Sequence, residues 1–268
     1  MLMKRSVQLS ITAVLCGTLL TSASIQAQTP TAEVSSGSTA QQALAQAASQ
    51  GKFSFIIFYR DDNDLTRAMA QVVTTKAKQQ PDSVVTTFVQ ITNPADQAIV
   101  KQFDVGRAPM PMTFVTAPNG AITGVFPQRV TDQQLTETFV TPAMSRCMKS
   151  MQEGKSVFLC VQTTSKVMVP QGVADFLADP QFKERANVVP VQATDPVEAK
   201  LLGELGIGTT LPNQPNTVFF APPGVLVGKF SLASTKAEIA SALHKAGKCC
   251  DDPNCKHGHA TKPKAGVR

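Results

Sequence analysis

Apolar runs of strand length alternate with amphipathic stretches along this chain, and the order occurs twice. Phe53 to Tyr59 is a continuous apolar run, the pattern of a central strand covered on both faces. Before it, TAQQALAQAASQ predicts a helix that stops at Gly51, a glycine just past the last turn. After it, Leu65 to Gln79 predicts a helix closed by Pro81, Val84 to Ile91 a strand, and Pro94 to Phe103 a helix with Ala98, Ile99 and Phe103 apolar. Met112 to Thr116 predicts a third strand. Pro118-Asn119-Gly120 turns it into an antiparallel partner over Ala121 to Phe126. Thr131, with Gln134 three residues on, opens a last helix through a capping box.

The same sequence of elements recurs from about Pro142 to Ala246. VQITNPADQAIVKQFDVG (Val89 to Gly106) aligns with VQATDPVEAKLLGELGIG (Val191 to Gly208), and PMTFVTAPNGAITGVF (Pro111 to Phe126) with PNTVFFAPPGVLVGKF (Pro215 to Phe230). QGKFSFIIF (Gln50 to Phe58) answers EGKSVFLCV (Glu153 to Val161), and TDQQLTETF (Thr131 to Phe139) answers TKAEIASAL (Thr235 to Leu243). A spacing of about 100 residues is a duplicated domain, since solenoid repeats run at about 20 to 50. Two units of this size each bury a core of their own.

The amino terminus reads as a secretory leader over 1–27: a basic pair (Lys4, Arg5), an apolar stretch, then small residues up to a cleavage point after Ala27, with Ala23 the second choice. Ser, Thr and Gly interrupt the apolar run short of about twenty residues, against a retained membrane anchor. Residues 28–38 are a polar linker. The expected location is periplasmic or extracellular, with no stable membrane insertion after cleavage. The formal net charge of +6 overstates the body. Lys4 and Arg5 leave with the leader, the basic excess otherwise sits from Lys245 onward, and residues 28–244 balance. Without a basic stripe or an aromatic platform on that body, no nucleic-acid partner is expected.

The element order and the P-x-T-F-V-x-x-P-N-G segment resemble the thioredoxin fold. The resemblance covers domain 1 at 39–141 and domain 2 at 142–246, and implies an α/β architecture of two tandem thioredoxin-like domains, each a mixed central sheet flanked by helices. It places Pro111 and Pro215 at the family's cis-proline, beside which an extended peptide would lie against Met110-Pro111 and Gln214-Pro215. It also places the family's dithiol at Asn63 and Thr66, neither of which forms a thiolate, and the family's buried acid at Ile57. In the second unit that loop is Thr163 to Val169, again without cysteine, and the acid position is Cys160. Dithiol exchange needs an attacking thiolate and a resolving thiol within reach. The chain is thus similar to the non-catalytic domains of protein disulfide isomerases.

Cys160 lies within an apolar strand and reads as a core residue. Met144, Cys147, Met148 and Met151 share one helix face, a possible Cu(I) surface. The repeat sets Leu44, Ala45 and Ala48 opposite Cys147, Met148 and Met151, which makes the stripe a core face. The tail at 247–268 is basic and holds Cys249, Cys250, Cys255, His257 and His259. Thiolate and imidazole suit Zn or Cu. A disulfide in an oxidising compartment competes with this, Cys250 with Cys255 or a partner in Cys147, as does an inert tail. All three histidines stand at or beyond residue 244, so a Ser/His/Asp hydrolase set is absent. The expected function is a redox-inactive binding or scaffold protein that takes an extended peptide or an exported protein partner. The alternatives are a Zn/Cu-handling protein and a thiol-disulfide oxidoreductase using displaced tail cysteines.

Overall fold

The apolar runs build two four-stranded mixed sheets, one in each half of the chain, in the computed structural model, which describes residues 38–163, 168–207 and 214–247. In the first half the strands are β1 (Phe53–Tyr59), β2 (Val84–Gln90), β3 (Met112–Thr116) and β4 (Ile122–Pro127), in the order β2-β1-β3-β4. β1 runs parallel to β2 and antiparallel to β3, which pairs antiparallel with β4. The second half repeats this with β5 (Ser156–Gln162), β6 (Ala186–Gln192), β7 (Thr217–Ala221) and β8 (Val225–Phe230), in the order β6-β5-β7-β8. Each hairpin carries a register shift at the matching place, Val115/Thr116 and Phe219/Phe220. The duplication extends to this irregularity.

Helices cover both faces of each sheet: α1 (Thr39–Ser49), α2 (Asp64–Gln79), α3 (Gln97–Gln102) and α4 (Asp132–Glu137), then α5 (Pro142–Gln152), α6 (Gln171–Ala178), α7 (Ala199–Leu205) and α8 (Lys236–Lys245). Because side chains alternate along a strand, β1 feeds two cores. Ile56 and Phe58 pack with Ala40 of α1 and with Ile99 and Val100 of α3. Phe55 and Ile57 pack with Met69 and Val73 of α2 and with Leu135 of α4. β5 does the same: Val157, Leu159 and Val161 face α5 and α7, while Phe158 and Cys160 face α6 and α8. Burying each such large apolar side chain contributes about 1.5 to 3 kcal/mol.

Local chemistry sets the helix ends. Ser38 and Gln41 exchange the two hydrogen bonds of a capping box at α1, and the expected Thr131/Gln134 box opens α4. The predicted helix from Pro94 to Phe103 divides instead into a 3-10 turn over Pro94–Asp96 and the shorter α3. Asn93 bonds across the turn, its Oδ1 accepting from Ala95 N at 3.1 Å and its Nδ2 donating to Asp96 Oδ2 at 2.8 Å, and α7 starts at the aligned position in the second half. Ala121 belongs to the turn, where Ala117 N donates to its carbonyl at 2.8 Å, so β4 starts one residue later than expected.

The described residues belong to one compact unit, and Gln152 at the end of α5 joins its two halves. Its amide donates to Ile122 O at 2.6 Å and accepts from Ile122 N at 2.9 Å. A side-chain amide thereby pairs one residue of β4, which the sheet order makes an edge strand. The leader at 1–27, residues 28–37 of the linker, and the tail from Lys248 lie outside the described residues.

Candidate functional site

A cleft of about 490 Å³ opens where the N-terminus of α2 meets the segment before β3. Asn63 is the N-cap, its Oδ1 accepting from Thr66 N at 3.0 Å, and Thr66 Oγ1 donates to Asp61 O at 2.9 Å. The two positions that the resemblance assigns to a dithiol are therefore used to terminate a helix. Arg60 and Asp61 form one wall with them, and Arg107, Ala108, Pro109 and Met110 the other. The walls carry two guanidinium groups against one carboxylate. Arg67, one turn into α2, is already engaged, its guanidinium meeting Asp62 at 3.2 Å and Asp64 at 2.6 Å.

Among the described residues the cis peptide bonds are Met110-Pro111 and Pro222-Pro223. Met110 is half-buried on the first-half core and also lines the cleft, whereas Pro111 is buried. In the second half Gln214 is exposed and Pro215 half-buried. They adjoin residues 208–213, and the loop at Thr163 includes 164–167; both stretches lie outside the described residues. Arg60 and Arg107 carried no signal in the sequence, since they are far apart in the chain and meet only through the sheet.

The described thiols lie away from this cleft. Cys147 and Cys160 are both free and buried. Burial pushes Cys147 up to about 12, with Glu198 adding to the effect and Arg146 opposing it. Burial likewise raises Cys160 to about 11, against a hydrogen bond from Thr217 Oγ1 at 3.7 Å. Thiols of this kind stay protonated and unreactive at neutral pH. Cys147 faces the core in α5, and the tail cysteines expected as its alternative partners lie outside the described residues. Met144 and Met151 pack on the same core, while Met148 is only half-buried outside it. The aligned face of α1 runs through Ala40, Leu44 and Ala47, not through Ala45 and Ala48, which are exposed.

The repeat pairs Thr217 with Thr113, and here the halves differ. Thr113 sits opposite Ile57 in the β1/β3 register, is fully buried, and its hydroxyl has no hydrogen-bond partner. A buried unsatisfied hydroxyl costs about 1 to 3 kcal/mol. Thr113→Val, which keeps the shape, is expected to stabilise the protein by about 1 kcal/mol. A urea midpoint unchanged or lowered by the substitution would contradict this account.

Among the described residues no group of three or more His, Cys, Asp or Glu side chains is placed to hold a metal ion. The expected ligands Cys249, Cys250, Cys255, His257 and His259 lie outside the described residues. Among the described residues no helix is long and apolar enough to cross a membrane.

Both halves have the thioredoxin-like fold. The strand order and directions carry that assignment. No family model matches the chain, and a comparison with curated proteins found no match. Solved structures similar to it include oxidised thioredoxin O2 from Arabidopsis thaliana, at 19% identity over 36% of this chain and 79% of that one, with a TM-score of 0.30. A disulphide isomerase from Xylella fastidiosa Temecula1 is 14% identical over 35% of this chain and 81% of that one, with a TM-score of 0.27. Human ERp44 is 9% identical over 74% of this chain and 53% of that one, with a TM-score of 0.32.

Proposed function

We propose that this chain is an exported binding protein, inactive in dithiol exchange, that holds an extended peptide by strand-like pairing beside Met110-Pro111, with Gln214-Pro215 as the second-half counterpart. The observation that carries this reading is the cleft at the start of α2, where Asn63 and Thr66 cap the helix in place of a thiol pair and Met110 forms the facing wall. Burial and raised pKa of Cys147 and Cys160 support the absence of thiol chemistry there. Two arginines against one aspartate in the walls favour a peptide with an acidic residue. The Cys/His cluster of the tail supports a second reading, in which Cys249, Cys250, Cys255, His257 and His259 take up Zn or Cu and the double fold docks a protein partner.

One experiment separates the two. Fluorescent ten-residue peptides of acidic, neutral and basic composition are titrated against the full chain, with and without chelator. Peptide capture in the cleft predicts that the acidic series binds best, that Arg107→Glu reverses the preference, and that Met110→Ala weakens binding about fivefold or more. Chelation then changes nothing. Affinity indifferent to both substitutions removes the cleft, and affinity that collapses on chelation moves the function to the tail.

A further inference from the structure

A second, larger cleft of about 890 Å³ lies between the two halves. In the first half, the start of α1 meets the Asn93 to Asp96 turn over a small hollow of about 320 Å³. There the buried acid Asp96 is satisfied by Asn93 Nδ2 at 2.8 Å. The aligned residues in the second half are Asp195 and Glu198. Asparagine has become aspartate, which has no donor to offer. Glu198 Oε1 accepts from Ala143 N at the start of α5 at 2.7 Å, but Oε2 is buried with no hydrogen-bond partner, in a residue only 2% exposed.

Glu198 forms part of the wall of the large cleft, together with Asp195 and Arg146. The charged lining thus has two carboxylates and one guanidinium, and Arg146 already donates to Pro190 O at 3.1 Å. Phe53 and Phe139 come from the first half, with ring centroids 5.1 Å apart, and Val197 stands 58% exposed at the rim. An apolar hollow of this size with a few convergent polar groups is the usual form of a small-molecule site. Leaving a carboxylate oxygen buried and unpaired is costly, so a donor from outside the chain is what the site lacks.

The geometry points to a binding site for a small organic cation, a protonated amine on an aromatic or aliphatic body, whose N–H groups supply the donor missing at Glu198 while its body lies against Phe53 and Phe139. The phenyl faces add a cation–π attraction to the same charge. In the first half Asn93 already fills that role, so no equivalent site is expected there. This site is independent of the peptide cleft at Met110.

The test is calorimetric titration of the full chain with 4-phenylbutylammonium, its neutral counterpart 4-phenylbutanol, and the blocked dipeptide acetyl-Phe-Lys-amide. The ammonium compound is expected to bind about tenfold or more tightly than the alcohol, and Glu198→Gln to abolish that preference. Val197→Lys places a competing ammonium at the rim and is expected to weaken the free amine about tenfold. Because Val197 is exposed, this variant decides the matter even if Glu198→Gln does not fold. Equal affinity for amine and alcohol, a preference that survives Glu198→Gln, amine binding unaffected by Val197→Lys, or no saturable binding overturns the proposal. Tighter binding of the dipeptide than of the free amine overturns it in favour of a peptide ligand.

Discussion

Gly172→Ala is expected to destabilise the protein by about 3 kcal/mol, at the upper end of the usual cost of overpacking, although glycine to alanine within a helix ordinarily stabilises by about 1 kcal/mol. Gly172 lies in the first turn of α6, where a Cβ would run into the backbone oxygen of Ser234 and stand 3.0 Å from the carbonyl carbon of Thr235. Those atoms belong to the N-cap segment of α8, which cannot move aside like the end of a flexible side chain. Gly203 in α7 is the internal control. It is exposed, and a Cβ there meets nothing within 4 Å. Gly203→Ala is therefore expected to stabilise by about 0.5 to 1 kcal/mol. Urea denaturation of the two variants should give shifts of opposite sign. A Gly172→Ala variant as stable as the natural chain, or more so, would mean that the contact between α6 and α8 is loose.

Stability is expected to fall steeply above pH 9, and the two core thiols to account for a defined part of the fall. Both have native pKa values raised by burial, Cys147 to about 12 and Cys160 to about 11, from an ordinary value of 9.0. Between pH 9 and 11 the unfolded chain releases these protons while the native chain keeps them. The native state then binds more protons, so stability decreases as pH rises. The contribution is whole below pH 9 and is lost on the way to 11 for Cys160 and 12 for Cys147, at up to about 1.4 kcal/mol per pH unit for each thiol. Urea midpoints at pH 8, 9, 10 and 11 are compared for the natural chain and for Cys147→Ala combined with Cys160→Ala. Other titrating groups are common to both proteins and cancel. A flatter profile for the variant is the expected result, and parallel profiles would show that the thiols are not buried as neutral groups.

These predictions differ in how far the sequence alone leads to them. β1 was legible residue for residue, because seven consecutive residues from Phe53 to Tyr59, covered on both faces, leave a plain signal. The Thr131/Gln134 cap was legible because its partners are three residues apart. The division at Asp96 was not, since the helical pattern of the sequence continues through it. At the cleft beside α2 the sequence pointed to Met110 and to the Asn63 and Thr66 positions through the thioredoxin resemblance. It gave no reason to associate Arg60 with Arg107, which a sheet crossing brings together.

Glu198 is the clearest case of the second kind. In the sequence it is one acid on an exposed-looking helix start, aligned with another acid, and nothing marks it as buried or incomplete. What the sequence by itself determined is what local patterning can encode: two copies of one order of elements, the apolar strands at their centres, the helix caps, and the lack of cysteine at Asn63 and Thr66. Tertiary structure alone decided which groups are buried without partners, such as Thr113 and Glu198, and which glycine meets a backbone, as Gly172 does and Gly203 does not. The reason is physical. Periodicity and capping act over three or four residues, whereas desolvation and close contact depend on atoms that lie far along the chain and meet only when the sheets and helices have packed.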